Sequence, residues 1–303
     1  MSNCWDVLGI GVVAVDDLLY VDHYPQADEK IRITKKQRQG GGLAGTALVA
    51  AARQGASTAY LGRLGRDELS HFSLQELERE GVDTSLTRRD SGGGPCHSIV
   101  VIDLHSGART ILFDLAELLE PDPASIGAEL VDGCKVLFID QYAYHAGMRA
   151  AGLARARGIP VVADMESTNL PDPQAFIDQI DHFIIGIDFA RTLSGESEGV
   201  RIVRAIYRPR MAACVVTAGE QGCWYSQNGA EVVHFPAFQV ETIDTTGCGD
   251  VFHGAYAASL ARGESIDRAI QVATAAAGLK ATQPGGRAGI PSLAQVKTFL
   301  HRS

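Results

Sequence analysis

Seven consecutive residues, Asp244-Thr245-Thr246-Gly247-Cys248-Gly249-Asp250, carry the strongest chemical signal in the chain. Glycines at 247 and 249 let backbone amides approach an anion closely, and the Ala-rich stretch 251–262 predicts a helix whose positive dipole end meets the same point. Such a hole can hold a transferring phosphoryl group and stabilise the charge that grows in the transition state. Asp250 stands at the helix start, where a carboxylate can take the proton from an attacking alcohol. The plain alternative is an Asp N-cap behind a glycine turn. Two acids, two threonines and two glycines within seven residues favour the chemical reading.

Two further glycine clusters invite a ligand. Gly40-Gly41-Gly42-Leu43-Ala44-Gly45-Thr46 leads into an Ala-rich helix, which permits close backbone approach, although a glycine-rich helix entry is often only a turn. No Lys-Ser/Thr follows its last glycine, so it is not a Walker A loop. Val215-Val216-Thr217-Ala218-Gly219-Glu220-Gln221-Gly222 reads as a buried strand and glycine turn, suited to a nucleotide at a strand's carboxyl end or simply to a hairpin into 223–226. Gly9-Ile10-Gly11-Val12-Val13-Ala14 fits the dinucleotide fingerprint, but strand-like residues 15–21 stand where the fingerprint requires a helix. The dehydrogenase reading is therefore discounted.

These motifs must be positioned by a regular frame. Apolar runs at 7–10, 57–61, 135–139, 160–163, 182–185 and 212–216 read as buried strands. Stretches 43–54, 66–80, 146–157, 188–193 and 199–207 read as helices, and Gly55, Gly81 and Gly158 fall where left-handed caps are wanted. Such alternation predicts an α/β fold with a mostly parallel, doubly wound sheet covered on both faces. Segments 12–36 and 96–113 alternate in period two, with His105-Ser106-Gly107 as a turn. They predict a small second sheet that closes over a ligand, pairs with another subunit, or does both.

Composition narrows the partners. A net charge of −9 argues against nucleic acid, whose phosphates need clustered Lys and Arg. Six cysteines without a Cys-x-x-Cys, and histidines without any i, i+4 pair, support neither a disulfide framework nor a zinc site. The start Met1–Asp6 has no basic, apolar leader and no apolar run reaches spanning length, so a cytoplasmic location without membrane association is expected.

Together the pieces resemble the PfkB/ribokinase carbohydrate kinase family over nearly the whole chain. The late motif matches the family's Asp-Thr-Thr-Gly-Ala-Gly-Asp with Cys248 in place of Ala, and Gly41-Gly42 matches its early glycine motif. The resemblance implies one kinase domain over 1–303, a ribokinase-like three-layer α/β/α sandwich with a small β lid, and a homodimer through that lid. It implies ATP and Mg²⁺, with a monovalent cation in some members, and a small sugar as acceptor. It assigns Asp250 as base and Gly247, Cys248 and Gly249 as the anion hole. Thr217, Gly219, Gly222, Ala276 and Gly285 would line the nucleotide side; Asp16, Gly41, Gly42 and Thr46 would face the sugar. Thr46 stands where family members carry a sugar-binding Asn, and Gly186-Ile187-Asp188-Phe189 replaces the Asn-x-x-Glu that organises Mg²⁺, leaving Asp188 or Asp164 as substitutes. Gln283–Pro291 looks like the sulfofructose kinase branch and less closely like ketohexokinases. Lys30, in the lid, is either a cation for an anionic substrate or a solvated surface lysine.

The expected activity is transfer of the ATP γ-phosphoryl to a hydroxymethyl group of a small sugar or sugar derivative. Two competitors stand beside it: a kinase-fold binder with little catalysis, motivated by the missing Asn and Glu, and a nucleoside kinase, with Tyr20 and Tyr24 as candidate base-stacking residues.

Overall fold

A computed structural model describes residues 5–302; Met1–Cys4, on which part of the N-terminal reading rests, lie outside them. In chain order the strands are β1 (Trp5–Ile10), β2 (Ala14–Val21), β3 (Ile33–Gly41), β4 (Thr58–Leu61), β5 (Arg63–Leu64), β6 (Val82–Asp83), β7 (Arg88–Arg89), β8 (Cys96–Asp103), β9 (Arg109–Asp114), β10 (Cys134–Asp140), β11 (Val161–Asp164), β12 (His182–Gly186), β13 (Ala213–Thr217), β14 (Cys223–Ser226) and β15 (Val233–Phe235). The helices are α1 (Leu43–Arg53), α2 (Glu68–Arg79), α3 (Ala128–Val131), α4 (Tyr144–Arg155), α5 (Pro173–Ile177), α6 (Ile187–Ser194), α7 (Gly199–Ile206), α8 (Cys248–Ala261), α9 (Ile266–Ala281) and α10 (Leu293–Leu300).

A nine-stranded sheet runs β15-β14-β13-β12-β11-β10-β1-β4-β6, parallel from β13 to β6 with β14 and β15 antiparallel at one edge. Its strands are apolar at successive positions because both faces are covered. Val7, Phe138, Val162, Ile184 and Val215 pack with α1, α8 and α9 on one face. Leu8, Ile139, Ala163, Phe183 and Val216 pack with α4 to α7 on the other. The expected three-layer sandwich is thus present. Gly55, Gly81 and Gly158 adopt φ of 85°, 81° and 69°, as the predicted caps require.

The second sheet runs β3-β2-β8-β9. β2 and β8 are parallel because the chain passes through α1 to β7 between them, whereas β8 and β9 form a hairpin turned at Gly107. β3 continues past the predicted limit at 36: Gly40 and Gly41 pair with Val15 and Ala14 and so finish a strand rather than forming a turn. The Gly9–Ala14 segment enters β2, not a helix, and its glycines serve packing. A Cβ on Gly9 would fall 2.7 Å from the Leu48 side chain, and one on Gly11 2.1 Å from Asp140 Oδ2.

Candidate active site

The parallel strands end at a common edge, and chain order reverses between β1 and β10, where an open α/β sheet leaves a crevice. Asp140, the last residue of β10, anchors this point. Its Oδ2 accepts from the amides of Val12 (2.7 Å) and Ala44 (3.2 Å) and its Oδ1 from Tyr142 (2.9 Å), tying β1, β10 and the start of α1 together. Burial pushes its carboxyl up to about 7 despite these donors.

Opposite α1 stands the start of α8. Gly247 caps it with φ 74°, and a Cβ there would come within 2.8 Å of the Gly286 carbonyl oxygen, so the position requires glycine twice over. The helix begins three residues earlier than predicted, at Cys248, which puts Asp250 in its first turn. There the amides of Gly249 and Asp250 have no intrahelical acceptor and face an incoming anion with the helix dipole behind them. Asp244, the first acid of the motif, is structural: its Oδ1 accepts from Thr246 N and its Oδ2 from Gly285 N, both at 2.8 Å. Lys280, fully buried, donates to the Asp244 carbonyl oxygen at 2.8 Å.

Asp250 sits among other carboxylates. Burial, then the charges of Asp164 and Glu166, push its carboxyl well above the ordinary range, with Arg287 working the other way. Asp164 and Glu166 are themselves pushed up to about 7, chiefly by burial. The buried ring of His253, one turn along α8, stands beside Asp164: Nδ1 is 2.8 Å from Gly249 O and 3.4 Å from Asp164 Oδ2, and Nε2 is 2.9 Å from Ile184 O.

A cleft of about 580 Å³ opens beside the anion hole. Thr217, Gly219 and Gly222, the nucleotide-side candidates, line it together with Cys248 and Gly249 of the anion hole, joined by Phe238, Val240 and Ala277, which sequence reasoning missed. The β13–β14 hairpin and the nucleotide turn prove to be one feature, with Gly222 at φ 86° against the Phe235 carbonyl oxygen. Ala276 is corrected: it is fully buried in the core between α9 and the sheet, and its neighbour Ala277 faces the cleft. Gly285 is not part of the cleft lining; its amide is committed to Asp244.

On the far side of the anion hole lies the lid. Asp16 of β2 packs so closely on Gly41 that a Cβ there would fall 2.3 Å from Oδ2, while Gly42 adopts φ 87° to start α1. Burial raises the Asp16 carboxyl, opposed by a hydrogen bond from Ser98 and the charge of Arg287. Thr46 is buried and accepts from Arg287 Nε at 3.2 Å. Lys30 is exposed on the β2–β3 loop, apart from these groups. Asp188 is excluded as a site carboxylate: its side chain is 93% exposed and pairs with Arg191. Glu166 and His253 lie outside the glycine motifs, with only acidity at the end of β11 hinting at Glu166, and Arg287 was missed although it lies within the quoted Gln283–Pro291 segment, because nothing local in that segment shows where its side chain goes.

A metal held by the protein alone does not fit, since among the described residues no three His, Cys, Asp or Glu side chains are placed to share one. Magnesium held through water and phosphate oxygens needs only one or two carboxylates. Asp164 and Glu166, whose charges both bear on Asp250, fit that requirement in the ionised form that a cation beside them would favour.

The chain matches the model described as pfkB family carbohydrate kinase over residues 10–293. It belongs to that family. It is 28% identical to the ribokinase of Bacillus subtilis strain 168 over 96% of this chain and 98% of that one. Mouse ketohexokinase is 27% identical over 90% of this chain and 95% of its own. Among solved structures, Arabidopsis thaliana ribokinase complexed with ribose and ATP superposes with a TM-score of 0.87 at 21% identity, covering 99% of this chain and all of that one. This pfkB kinase thus has the ribokinase-like fold and the sugar-phosphorylating activity of its family. No described helix is long and apolar enough to cross a membrane.

Proposed function

We propose that this kinase transfers the γ-phosphoryl of ATP to a hydroxymethyl group of a small sugar or sugar derivative, with Asp250 as the base. The observation that supports this reading is that Asp250 lies in the first turn of α8, next to Cys248 and Gly249, which line the cleft. ATP would lie along Thr217, Gly219, Gly222 and Phe238 with its terminal phosphate at the amides of Gly249 and Asp250. Asp16, with Gly41, Gly42 and Thr46 around it, would accept from sugar hydroxyls and aim one of them at the phosphorus. Asp250 then takes the hydroxyl proton as the bond to phosphorus forms, and ADP leaves. Its raised pKa suits this work, because a base that holds a proton more tightly draws it from an alcohol more readily. Asp164 and Glu166 would hold Mg²⁺ through water and phosphate, and the ion would neutralise charge on the transferred group.

Incubation with Mg²⁺-ATP and a panel of ketoses, pentoses and nucleosides, with and without K⁺, reads the acceptor class and any monovalent-cation requirement. ADP release tied to one acceptor supports the kinase; binding without turnover on the whole panel would leave a sugar and nucleotide binder. The exposed lid side chains Ile99, Ile111, Leu112 and Phe113 support a homodimer through the lid, which light scattering tests.

A further inference from the structure

Arg287 lies on the loop between α9 and α10, far in sequence from the lid, yet its guanidinium is buried beneath the acceptor side with 6% of the residue exposed. Nη2 donates to the Gly41 carbonyl oxygen at 2.5 Å and Nε to Thr46 Oγ1 at 3.2 Å. An ideal Cβ on Gly40 would fall 2.2 Å from Nη1, and one on Gly45 2.5 Å from Nη2. Two glycines of the Gly40–Thr46 cluster therefore make room for a guanidinium, not for a ligand. Thr46 belongs to the same arrangement, because its short hydroxyl reaches the Nε that lies over α1.

The charged groups facing Arg287 come from three elements: Asp16 of β2, Glu76 of α2 with Glu80 just beyond it, and Asp250 of α8. Arg53 of α1 adds no charge to the guanidinium side. It donates to the Arg287 carbonyl oxygen at 3.1 Å and pairs with Glu80, which fixes the loop from behind. A buried guanidinium is costly unless its hydrogen bonds and counter-charges are in place, and here they are spread over both halves of the reaction centre.

We propose that Arg287 is a positioning residue for phosphoryl transfer: it seats Gly41 and Thr46 and acts as the shared counter-charge of Asp16 and Asp250. The C-terminal loop thereby sets the sugar-holding carboxylate and the base together without touching substrate. This rests on the roles given to Asp16 and Asp250 above. The geometry places Asp16 beside this anchor, because its Oδ2 packs on Gly41, whose carbonyl oxygen Arg287 Nη2 holds, and the Arg287 charge opposes the upward push of burial on both carboxyls.

The first test needs no substrate. Thermal midpoints of the wild type, Arg287→Met, Asp16→Asn and the double variant are compared at pH 5 and pH 8. Arg287→Met keeps bulk but removes the charge, so its loss of midpoint should be larger at pH 8, where a raised carboxyl such as Asp16 is more fully ionised than at pH 5, and the double variant should lose that difference. Equal losses at both pH values with an additive double variant overturn the proposal. The second test uses ADP release with the best acceptor of the panel. Arg287→Met should raise the acceptor KM and lower kcat, together about a hundredfold in kcat/KM, while Arg287→Lys, which keeps charge but not the planar fork, recovers about tenfold of that. Turnover of Arg287→Met within twofold of wild type, or Arg287→Lys no better than Arg287→Met, also overturns it. Asp250→Asn runs in parallel: full turnover there removes the base assignment while leaving the Arg287–Asp16 coupling to be judged by the midpoints.

Discussion

Arg109 of lid strand β9 pairs with Asp244 of the loop before α8, with 3.7 Å between Nη1 and Oδ1. The lid therefore meets the body at the residue that also holds Thr246, Gly285 and Lys280. On the reading proposed above, the two acids of the Asp244–Asp250 motif divide their work: Asp244 holds the loop and the lid, and Asp250 serves as the base.

That division predicts different outcomes for the two ends of the pair. Arg109 is partly exposed, and such pairs contribute about 0–1 kcal/mol. Arg109→Gln should leave the thermal midpoint within about a degree of wild type and raise the sugar KM by about two- to fivefold, with kcat little changed. Asp244→Ala loses the bonds from Thr246 and Gly285 as well and should destabilise by about 1–3 kcal/mol with loss of turnover. Steady-state kinetics and denaturant melts of both variants read this contrast.

Asp250→Asn should lower kcat by about 10²- to 10⁴-fold, the range for removal of a positioned general base. Its stability should not fall, because burial, then the charges of Asp164 and Glu166, disfavour an ionised carboxylate at this position. Retained turnover, measured by ADP release, would sink the base assignment.

Much of this architecture was legible in the sequence, and the boundary of what was not has a physical basis. The parallel strands declare themselves by continuous apolar runs, and Gly247 and Asp250 by a helix entry whose chemistry is local. Arg287 could not be found that way: its contacts with Gly41 and Thr46 span more than 240 positions, and only the fold brings them together. The same holds for His253, whose neighbour Asp164 ends a different strand. Ala276 failed for a smaller reason. One position on a helix turns a side chain by about 100°, so Ala277 faces the cleft while Ala276 faces the core. Glycine itself misled at 40 and 45, because close approach by a protein side chain and close approach by a ligand leave the same sequence mark.

The anion hole allows a paired test of glycine and cysteine. Gly247→Ala places a side chain at φ 74° and 2.8 Å from the Gly286 carbonyl oxygen. It should cost about 1–2 kcal/mol and push α8 away from the C-terminal loop, lowering kcat at least tenfold. Cys248→Ala removes a thiol that burial pushes up to about 11 and that donates only weakly to Ala277 O at 3.5 Å. Turnover of that variant should stay within about twofold of wild type, since a thiol so protonated supplies neither charge nor nucleophile.

Buried acids give the apo enzyme a stability that falls as pH rises. Asp140 has a folded pKa of about 7 against an ordinary value of 3.8, so its contribution is fully present below the unfolded value and is lost as pH climbs through 7. Asp164, buried at the end of β11 and likewise raised to about 7, acts in the same direction. Buried His182, lowered to about 4, acts oppositely below about pH 6.5, because its folded form resists a proton that the unfolded chain accepts. Above pH 6.5 His182 is neutral in both states, and exposed His23, raised by its bond with Glu29, adds to the acids in the same direction, so the thermal midpoint should drop by a few degrees between pH 6.5 and 8. Asp140→Asn should flatten that slope and lower the midpoint throughout. An amide oxygen can replace Oδ2 toward Val12 and Ala44, but the amide nitrogen cannot accept from Tyr142, so one buried donor is left unpaired. A wild-type midpoint that stays level or rises between pH 6.5 and 8 would contradict the raised carboxyls at this edge of the sheet.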